Sequence, residues 1–278
     1  MMTQTAFVIL YGLVGLIVGS FLNVVADRLP RRESLLRPPS HCPACGRRLA
    51  AWEMIPLVSY IALRGRCRTC GARIPWRVFA VELVTGALFA FLAWEVGPRA
   101  ALGLYTLYSV ILLLVAVIDL EHKLILNVII IPAIILAILL IPVRRLVGDV
   151  PSSHITIMSL FLPYRLTLNP GQVATVSQLV GGVVAFLIFF LVYLISPQGM
   201  GDGDVRLAAF SGLITGFPGA LLAVFGSFVL GGVVGVLLLL SGKAGRKTAI
   251  PFAPFLVVTT FLVMLYGDIF LRWYLRIA

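Results

Sequence analysis

Long apolar runs recur through the chain and restrict it to one kind of environment. A helix of about 20 apolar residues crosses the hydrocarbon core of a bilayer. Because 60% of the residues are hydrophobic and only 12% are charged, the chain is not an ordinary soluble enzyme. We therefore predict an all-α polytopic membrane protein with about eight transmembrane helices. The runs that support this count cover residues 5–26, 78–97, 100–118, 126–143, 179–196, 207–240 and 251–270.

The run at residues 207–240 counts as two helices, because Gly216, Phe217, Pro218 and Gly219 interrupt it. Its first part, residues 207–215, is shorter than a full span. The sequence leaves open whether this part crosses the membrane or re-enters it.

The apolar pattern divides the chain into three predicted domains. These are a first transmembrane helix at 1–26, a cytoplasmic four-cysteine domain at 27–77 and a transmembrane domain at 78–278. No cationic segment precedes the first run and no small-residue cleavage site follows it, so we expect a retained anchor and not a signal peptide.

Charge predicts the orientation. Residues 27–77 hold 11 arginines and three acids, which is most of the net charge of +11. Lysine and arginine accumulate in cytoplasmic loops, so we place residues 27–77 in the cytoplasm and both termini outside. A polar loop predicted at 144–178 then lies outside, with no role that the sequence identifies. Nothing in the pattern requires a nucleic acid partner.

The four cysteines form two short motifs, Cys42-Pro-Ala-Cys45 and Cys67-Arg-Thr-Cys70, separated by 21 residues. Two residues between thiols place both sulfurs on one turn, and two such turns close a tetrahedral four-sulfur site. Two disulfides are the alternative, but a cytoplasmic domain keeps its thiols reduced. We predict a structural metal, zinc in preference to iron, that helps a domain of about 50 residues to fold.

Two carboxylates follow apolar runs and are predicted to reach the same face of the membrane. Asp119 ends the run at 100–118, and Asp204 follows the run at 179–196 in a glycine-rich stretch. Two such acids can share a proton, so that one activates water while the other polarises a carbonyl. The alternative is that each acid is a solvated boundary residue paired with Lys123 or Arg206.

The glycines beside Asp204 add to this prediction. Gly201 and Gly203 suit a backbone that passes close to a substrate or adopts positive φ. The residues alone do not decide whether Asp202 or Asp204 is the reacting acid.

Other classes of protein also fit some of these features. A transporter could use Asp119 and Asp204 to relay protons or to bind a cation. Both acids are predicted at one face and not at the midplane, and no inverted repeat is evident, which argues against transport. A non-enzymatic scaffold that docks partners through its metal domain is a third hypothesis.

Taken together, these motifs resemble the type IV prepilin leader peptidases, a family of intramembrane aspartyl proteases. The resemblance rests on Gly19-Ser-Phe-Leu-Asn-Val24, the two cysteine motifs, Glu82, Asp119-Leu-Glu121, Gly201-Asp-Gly-Asp204 and Ile250-Pro-Phe-Ala-Pro-Phe255. It implies that Asp119 and Asp204 are catalytic, that Asp204 is chosen over Asp202, and that Gly201, Gly203 and Arg206 support the site.

The resemblance also implies the reaction. Prepilins of type IV pili and pseudopilins of type II secretion would be cleaved after a glycine, at the cytoplasmic face of the bacterial inner membrane. Members with four cysteines also N-methylate the new terminus with S-adenosylmethionine, and residues 78–278 would be the peptidase domain. Two positions depart from the family pattern: Leu126 replaces a proline, and Arg206 replaces a lysine.

Overall fold

The computed structural model describes residues 3–147, 169–197, 199–242 and 250–276. The regular structure of these residues is helical. The elements are α1 (Gln4–Arg28), a 3-10 helix (Ala51–Met54), α2 (Val58–Ala62), α3 (Trp76–Val96), α4 (Ala101–His122), α5 (Asn127–Leu139), α6 (Ile141–Leu146), α7 (Pro170–Ile195), α8 (Asp202–Thr215), α9 (Gly219–Leu240) and α10 (Ala253–Leu275).

Six helices within the described residues are long and apolar enough to cross a membrane, namely α1, α3, α4, α7, α9 and α10. The prediction of an all-α polytopic membrane protein is therefore confirmed. The count of eight spans stays a prediction, because α5 and α8 contain only 13 and 14 residues. At about 1.5 Å per residue, 14 residues extend roughly 21 Å, short of the hydrocarbon core.

The chain forms two compact units, Met1–Thr106 and Leu107–Ala278. In the first unit, α1 packs closely along α3. A Cβ atom on Gly15 would lie 2.7 Å from the Cβ of Phe89, and one on Gly19 would lie 2.9 Å from the Cα of Glu82. Small residues permit this approach of two membrane helices. Asn23 adds a polar link, because its Nδ2 donates to the Val78 carbonyl at 3.0 Å.

In the second unit, the short helix α8 is surrounded by α5, α7, α9 and α10. Ten of its 14 residues are buried, including Phe210 and Leu213. Gly181 of α7 and Gly212 of α8 bring the two backbones together, because a Cβ on Gly181 would lie 2.6 Å from the Gly212 oxygen. The fold thus holds α8 inside protein and away from lipid.

The predicted polar loop at 144–178 is wrong at both ends. Arg144 lies in α6, and α7 begins at Pro170, well before the apolar run. Proline suits the first residue of a helix, and the Asn169 N–H donates to the Gln172 side chain at 2.9 Å, as in a capping box. Polar residues here belong to a helix start. Residues 148–168, the middle of this loop, lie outside the described residues.

Candidate active site and metal centre

The two cysteine motifs fold into matching turns. The N–H of Gly46 donates to the Cys42 carbonyl at 2.9 Å, and the N–H of Gly71 donates to the Cys67 carbonyl at 3.0 Å. Both glycines have φ near +70°, a conformation that L side chains rarely adopt. The sequence therefore needs glycine after each motif in order to close the turn.

The two turns bring all four sulfurs together, with every pair within 4.8 Å. The Cys42 and Cys70 sulfurs are 3.8 Å apart. Sulfurs bound tetrahedrally at about 2.3 Å from one metal ion would be about 3.8 Å from each other. All four cysteines are free thiols, so the disulfide alternative is not supported. The predicted four-sulfur cluster is present, and it could hold a metal ion.

Hydrogen bonds favour the thiolate form of Cys67. Against the Ala72 N–H, the Cys67 thiol and burial raise the pKa of Cys70 to about 11. Backbone N–H groups of Cys70 and Thr69 lower the pKa of Cys67 to about 6. Arg47 lies beside this thiol and also pairs with the buried Glu53, with 2.6 Å between Nη2 and Oε1. Metal ligands commonly have such supporting partners, which fix their orientation.

Asp119 lies near the C-terminal end of α4 and is only 6% exposed. Its Oδ2 accepts the N–H of Ala253, the first residue of α10, at 3.2 Å. The positive end of a helix stabilises a carboxylate placed there. The two helices are thereby joined through Asp119, and the carboxyl group has a fixed orientation.

Asp204 lies in the first turn of α8, which is not one of the six candidate spans. Its Oδ2 accepts the Gly201 N–H at 3.1 Å. Burial, and then the nearby Asp119 charge, raise the pKa of Asp204 to about 6. Two carboxylates placed so that the charge of one affects the other can share one proton.

Asp202 has a different environment from Asp204. It is exposed, and its Oδ2 accepts a hydrogen bond from Arg206 at 2.7 Å. Arg206 also donates to Asn127 at the start of α5. Arg206 therefore connects α8 to α5, and the bonds described for it do not reach Asp204.

Of the two glycines beside Asp204, Gly203 permits close packing, whereas a Cβ on Gly201 would make only ordinary contacts. Gly201 has φ of −76°, so the positive-φ alternative is wrong for it, and its close approach to a substrate stays a prediction. Gly203 is absent from the described positive-φ residues. A Cβ on Gly203 would lie 2.6 Å from the Cβ of Ile125. Glycine at 203 therefore lets the start of α8 approach the segment between α4 and α5.

The replacement of proline by Leu126 leaves the start of α5 intact. Leu126 is the N-cap of α5 with φ of −77°, which proline would also adopt. Its carbonyl accepts the N–H groups of Ile129 and Ile130, each at 3.0 Å. The local backbone is thus compatible with either residue.

The sequence did not indicate two further groups. The Ala253 N–H is a backbone donor, so no side chain signals it. Arg144 is only 4% exposed, and its Nη1 donates to the Ile214 carbonyl at 2.6 Å, near the end of α8. The sequence did not predict this contact, because Arg144 follows the apolar run at 126–143 and falls in the predicted polar loop at 144–178.

The fold defines a polytopic helical membrane protein with the carboxylates of Asp119 and Asp204 in one unit and, in the other, a four-cysteine cluster that could hold a metal ion. Two family models match the chain: the bacterial peptidase A24 N-terminal domain over residues 13–96, and the type IV leader peptidase family over residues 106–236. The chain belongs to the type IV leader peptidase family, as the sequence resemblance predicted.

Similar proteins cover almost the whole chain. A prepilin leader peptidase/N-methyltransferase of Pseudomonas aeruginosa is 33% identical and covers 98% of this chain and 95% of its own length. A protein of the same name from Bacillus subtilis is 31% identical, with 95% and 96% covered. No solved structure shows a significant match.

Proposed function

We propose that this chain removes the leader peptides of prepilins and pseudopilins and then N-methylates the new N-terminus. The names of relatives that match along nearly the full chain support both activities. The single observation that carries the peptidase activity is that Asp119 is bonded to the first residue of α10 while Asp204 lies on α8, which packs against α10 in the same unit. The effect of the Asp119 charge on the pKa of Asp204 agrees with this arrangement. The comparisons give no support to the transporter alternative.

In the proposed mechanism, the two carboxyl groups share one proton. The ionised group takes a proton from a water molecule, whose oxygen attacks the carbonyl carbon of the leader glycine. The protonated group donates a hydrogen bond to that carbonyl oxygen. When the tetrahedral intermediate collapses, the bond between the glycine carbonyl carbon and the next nitrogen breaks. The proton taken from water passes to the leaving amine. The Ala253 N–H keeps the Asp119 carboxyl group oriented, and the Gly201 N–H does the same for Asp204.

A cleavage assay with a purified prepilin tests this assignment. Asp119→Asn and Asp204→Asn should each abolish cleavage, because neither variant can form the shared-proton pair. Asp202→Asn is the matched control and should cleave at a rate close to that of the wild type, since Asp202 is exposed and paired with Arg206. Full activity in either of the first two variants would contradict the assignment.

For methylation, we propose S-adenosylmethionine as the methyl donor. The support is the printed name of the relatives together with the presence of the N-terminal family domain. When bound, this cofactor supplies a methyl group to the amine of the cleaved pilin. If the purified chain cleaves normally but binds no S-adenosylmethionine and leaves the product unmethylated, this half of the proposal fails.

We propose zinc as the metal at Cys42, Cys45, Cys67 and Cys70. Four thiolates suit zinc and would also accept iron. Four protein ligands leave no open position, so the ion would stabilise the fold and take no part in cleavage. Elemental analysis of the purified chain should show one zinc for each protein molecule, and an absence of bound metal would refute the site.

We also propose that the chain is located in the bacterial inner membrane, with residues 27–77 and the carboxylate pair at the cytoplasmic face. The 11 arginines of residues 27–77 support this orientation through the positive-inside rule. Labelling of intact cells should leave an exposed tag in this region unmodified until the membrane is made permeable. Labelling of that tag in intact cells would show that the orientation is the opposite of the one proposed.

A further inference from the structure

Part of the polar segment between α1 and α3 packs beside a helix that crosses the membrane. We propose that this part is an interfacial surface that inserts into the lipid headgroup region next to α3. We define the interfacial patch as Trp52, Met54, Ile55, Val58 and Ile61. The partner is the surface of an anionic bilayer, and the proposal does not depend on either enzymatic activity.

The first step of the argument is the depth of α2 relative to α3. The ring of Tyr60 in α2 packs on that of Phe79, with 5.3 Å between centroids. Just before α2, the Leu57 N–H donates to Glu82 Oε2 at 2.8 Å. Phe79 and Glu82 belong to α3, the candidate span that starts at Trp76.

The two contacts give the position of α2 along the axis of α3. At about 1.5 Å per residue, Phe79 lies roughly 5 Å along the helix from Trp76, and Glu82 lies roughly 9 Å along it. The short helix α2 therefore lies beside the first two turns of a membrane span. This is the region where such a helix passes from headgroups into hydrocarbon.

Leu57 is held firmly in this position. Its backbone has φ of +59°, which is unusual for a branched side chain. The carboxylate that accepts its N–H is itself only 5% exposed. A strained residue tied to a buried acid fixes the depth of the segment that follows.

The second step is the apolar surface that this segment exposes. The exposed fractions are 41% for Trp52, 47% for Met54 and Ile55, 60% for Val58 and 64% for Ile61. Val58 and Ile61 are three residues apart on α2, so they share one face of the helix. Tryptophan and aliphatic side chains of this kind insert at the boundary between headgroups and acyl chains.

The third step is charge. The chain has no acidic residue between Glu53 and Glu82, whereas Arg64, Arg66 and Arg68 follow α2 directly and are exposed. Arg68 lies over the Trp52 ring, 5.5 Å from its centroid. Basic residues next to an apolar interfacial segment are attracted to anionic headgroups. A lipid partner fits both the charge and the depth of the interfacial patch.

Tryptophan fluorescence in lipid nanodiscs tests this proposal on the full chain. The chain has four tryptophans. Changing Trp76, Trp94 and Trp273 to Phe leaves Trp52 as the reporter. In nanodiscs that contain phosphatidylglycerol, we expect brominated lipid to quench Trp52 emission and aqueous iodide to quench it weakly.

A matched pair of variants separates the patch from general effects of added charge. Ile61→Asp should abolish quenching by brominated lipid and make Trp52 accessible to iodide, because it places one charge on the exposed face of α2. Leu36→Asp is the control, because Leu36 is 85% exposed but lies outside the interfacial patch. It should leave the quenching unchanged, and thermal unfolding should show that both variants are folded.

Two results would overturn the proposal. One is Trp52 emission that is equal in brominated and unbrominated nanodiscs while iodide quenches it fully. The other is a Trp52 that is exposed to iodide in lipid alone and becomes protected only when a prepilin is added. In that case the patch would bind a protein and not the bilayer.

Discussion

The contact between Gly181 and Gly212 predicts a large effect for the small change Gly212→Ala. The added Cβ would clash first with the Gly181 carbonyl oxygen, and it would lie 2.6 Å from the Gly181 carbonyl carbon and 2.9 Å from the Ala185 Cβ. An ordinary Cβ contact begins at 3.4 Å, so α7 and α8 must separate by at least about 0.8 Å, which is 3.4 minus 2.6. Overpacking of this kind costs about 1–3 kcal/mol of stability.

The same displacement should reduce catalysis, because α8 carries Asp204. A misplacement of about 1 Å can reduce an enzymatic rate by about 100-fold. We therefore expect Gly212→Ala to lower both the unfolding temperature in detergent and the rate of prepilin cleavage.

Gly232→Ala in α9 is the matched control. A Cβ there would meet nothing within 4 Å, so the variant should be as stable as the wild type or more stable. If Gly212→Ala has the wild-type unfolding temperature and cleavage rate, close packing at this glycine pair does not position α8.

Three further predictions follow from groups described above. Arg144→Met should destabilise the protein by about 1.5–3 kcal/mol, because it removes a charged hydrogen bond to α8. Arg145→Met should have little effect, because Arg145 is exposed. Chemical unfolding of the two variants measures the difference in their stability. Arg47 and the Ala50 N–H lower the pKa of Glu53 to about 2. The wild type should therefore be more stable than Glu53→Gln above pH about 4.5, and this advantage should disappear as the pH falls towards 2. Thermal unfolding of both proteins as a function of pH measures the advantage, and an advantage that grows at low pH would contradict the prediction. Because the pKa of Asp204 is raised to about 6, the rate of prepilin cleavage should decline with loss of a single proton as the pH rises above about 6. A cleavage rate that is constant from about pH 5 to pH 9 would argue against a shared proton, because this range extends to both sides of that pKa.

The cysteine cluster could be predicted from the sequence because its geometry is local. Two residues between cysteines and a glycine after each pair determine a turn, and only the approach of the two turns depends on the rest of the domain. The sequence also predicts one membrane depth for Asp119 and Asp204, since each follows an apolar run, and that depth stays a prediction.

The remaining features depend on contacts between distant segments. Arg144 is buried because α6 packs against α7, and a local pattern cannot show this. Its bond to Ile214 joins residues that are 70 positions apart. The predicted domains at 1–26, 27–77 and 78–278 also stay predictions, since hydropathy identifies apolar segments and does not show how those segments pack together.

The enclosure of α8 has a consequence for biosynthesis. The helix is too short to cross the bilayer alone, and it buries Ser211 and Thr215 against protein. Because α8 packs against α5, α7, α9 and α10, it reaches its enclosed position only once these helices are present. Asp119 acquires its Ala253 partner only after α10 has been made. A nascent chain that lacks α10 therefore has an incomplete carboxylate site, and the order of synthesis delays proteolytic activity until the last helix is in place.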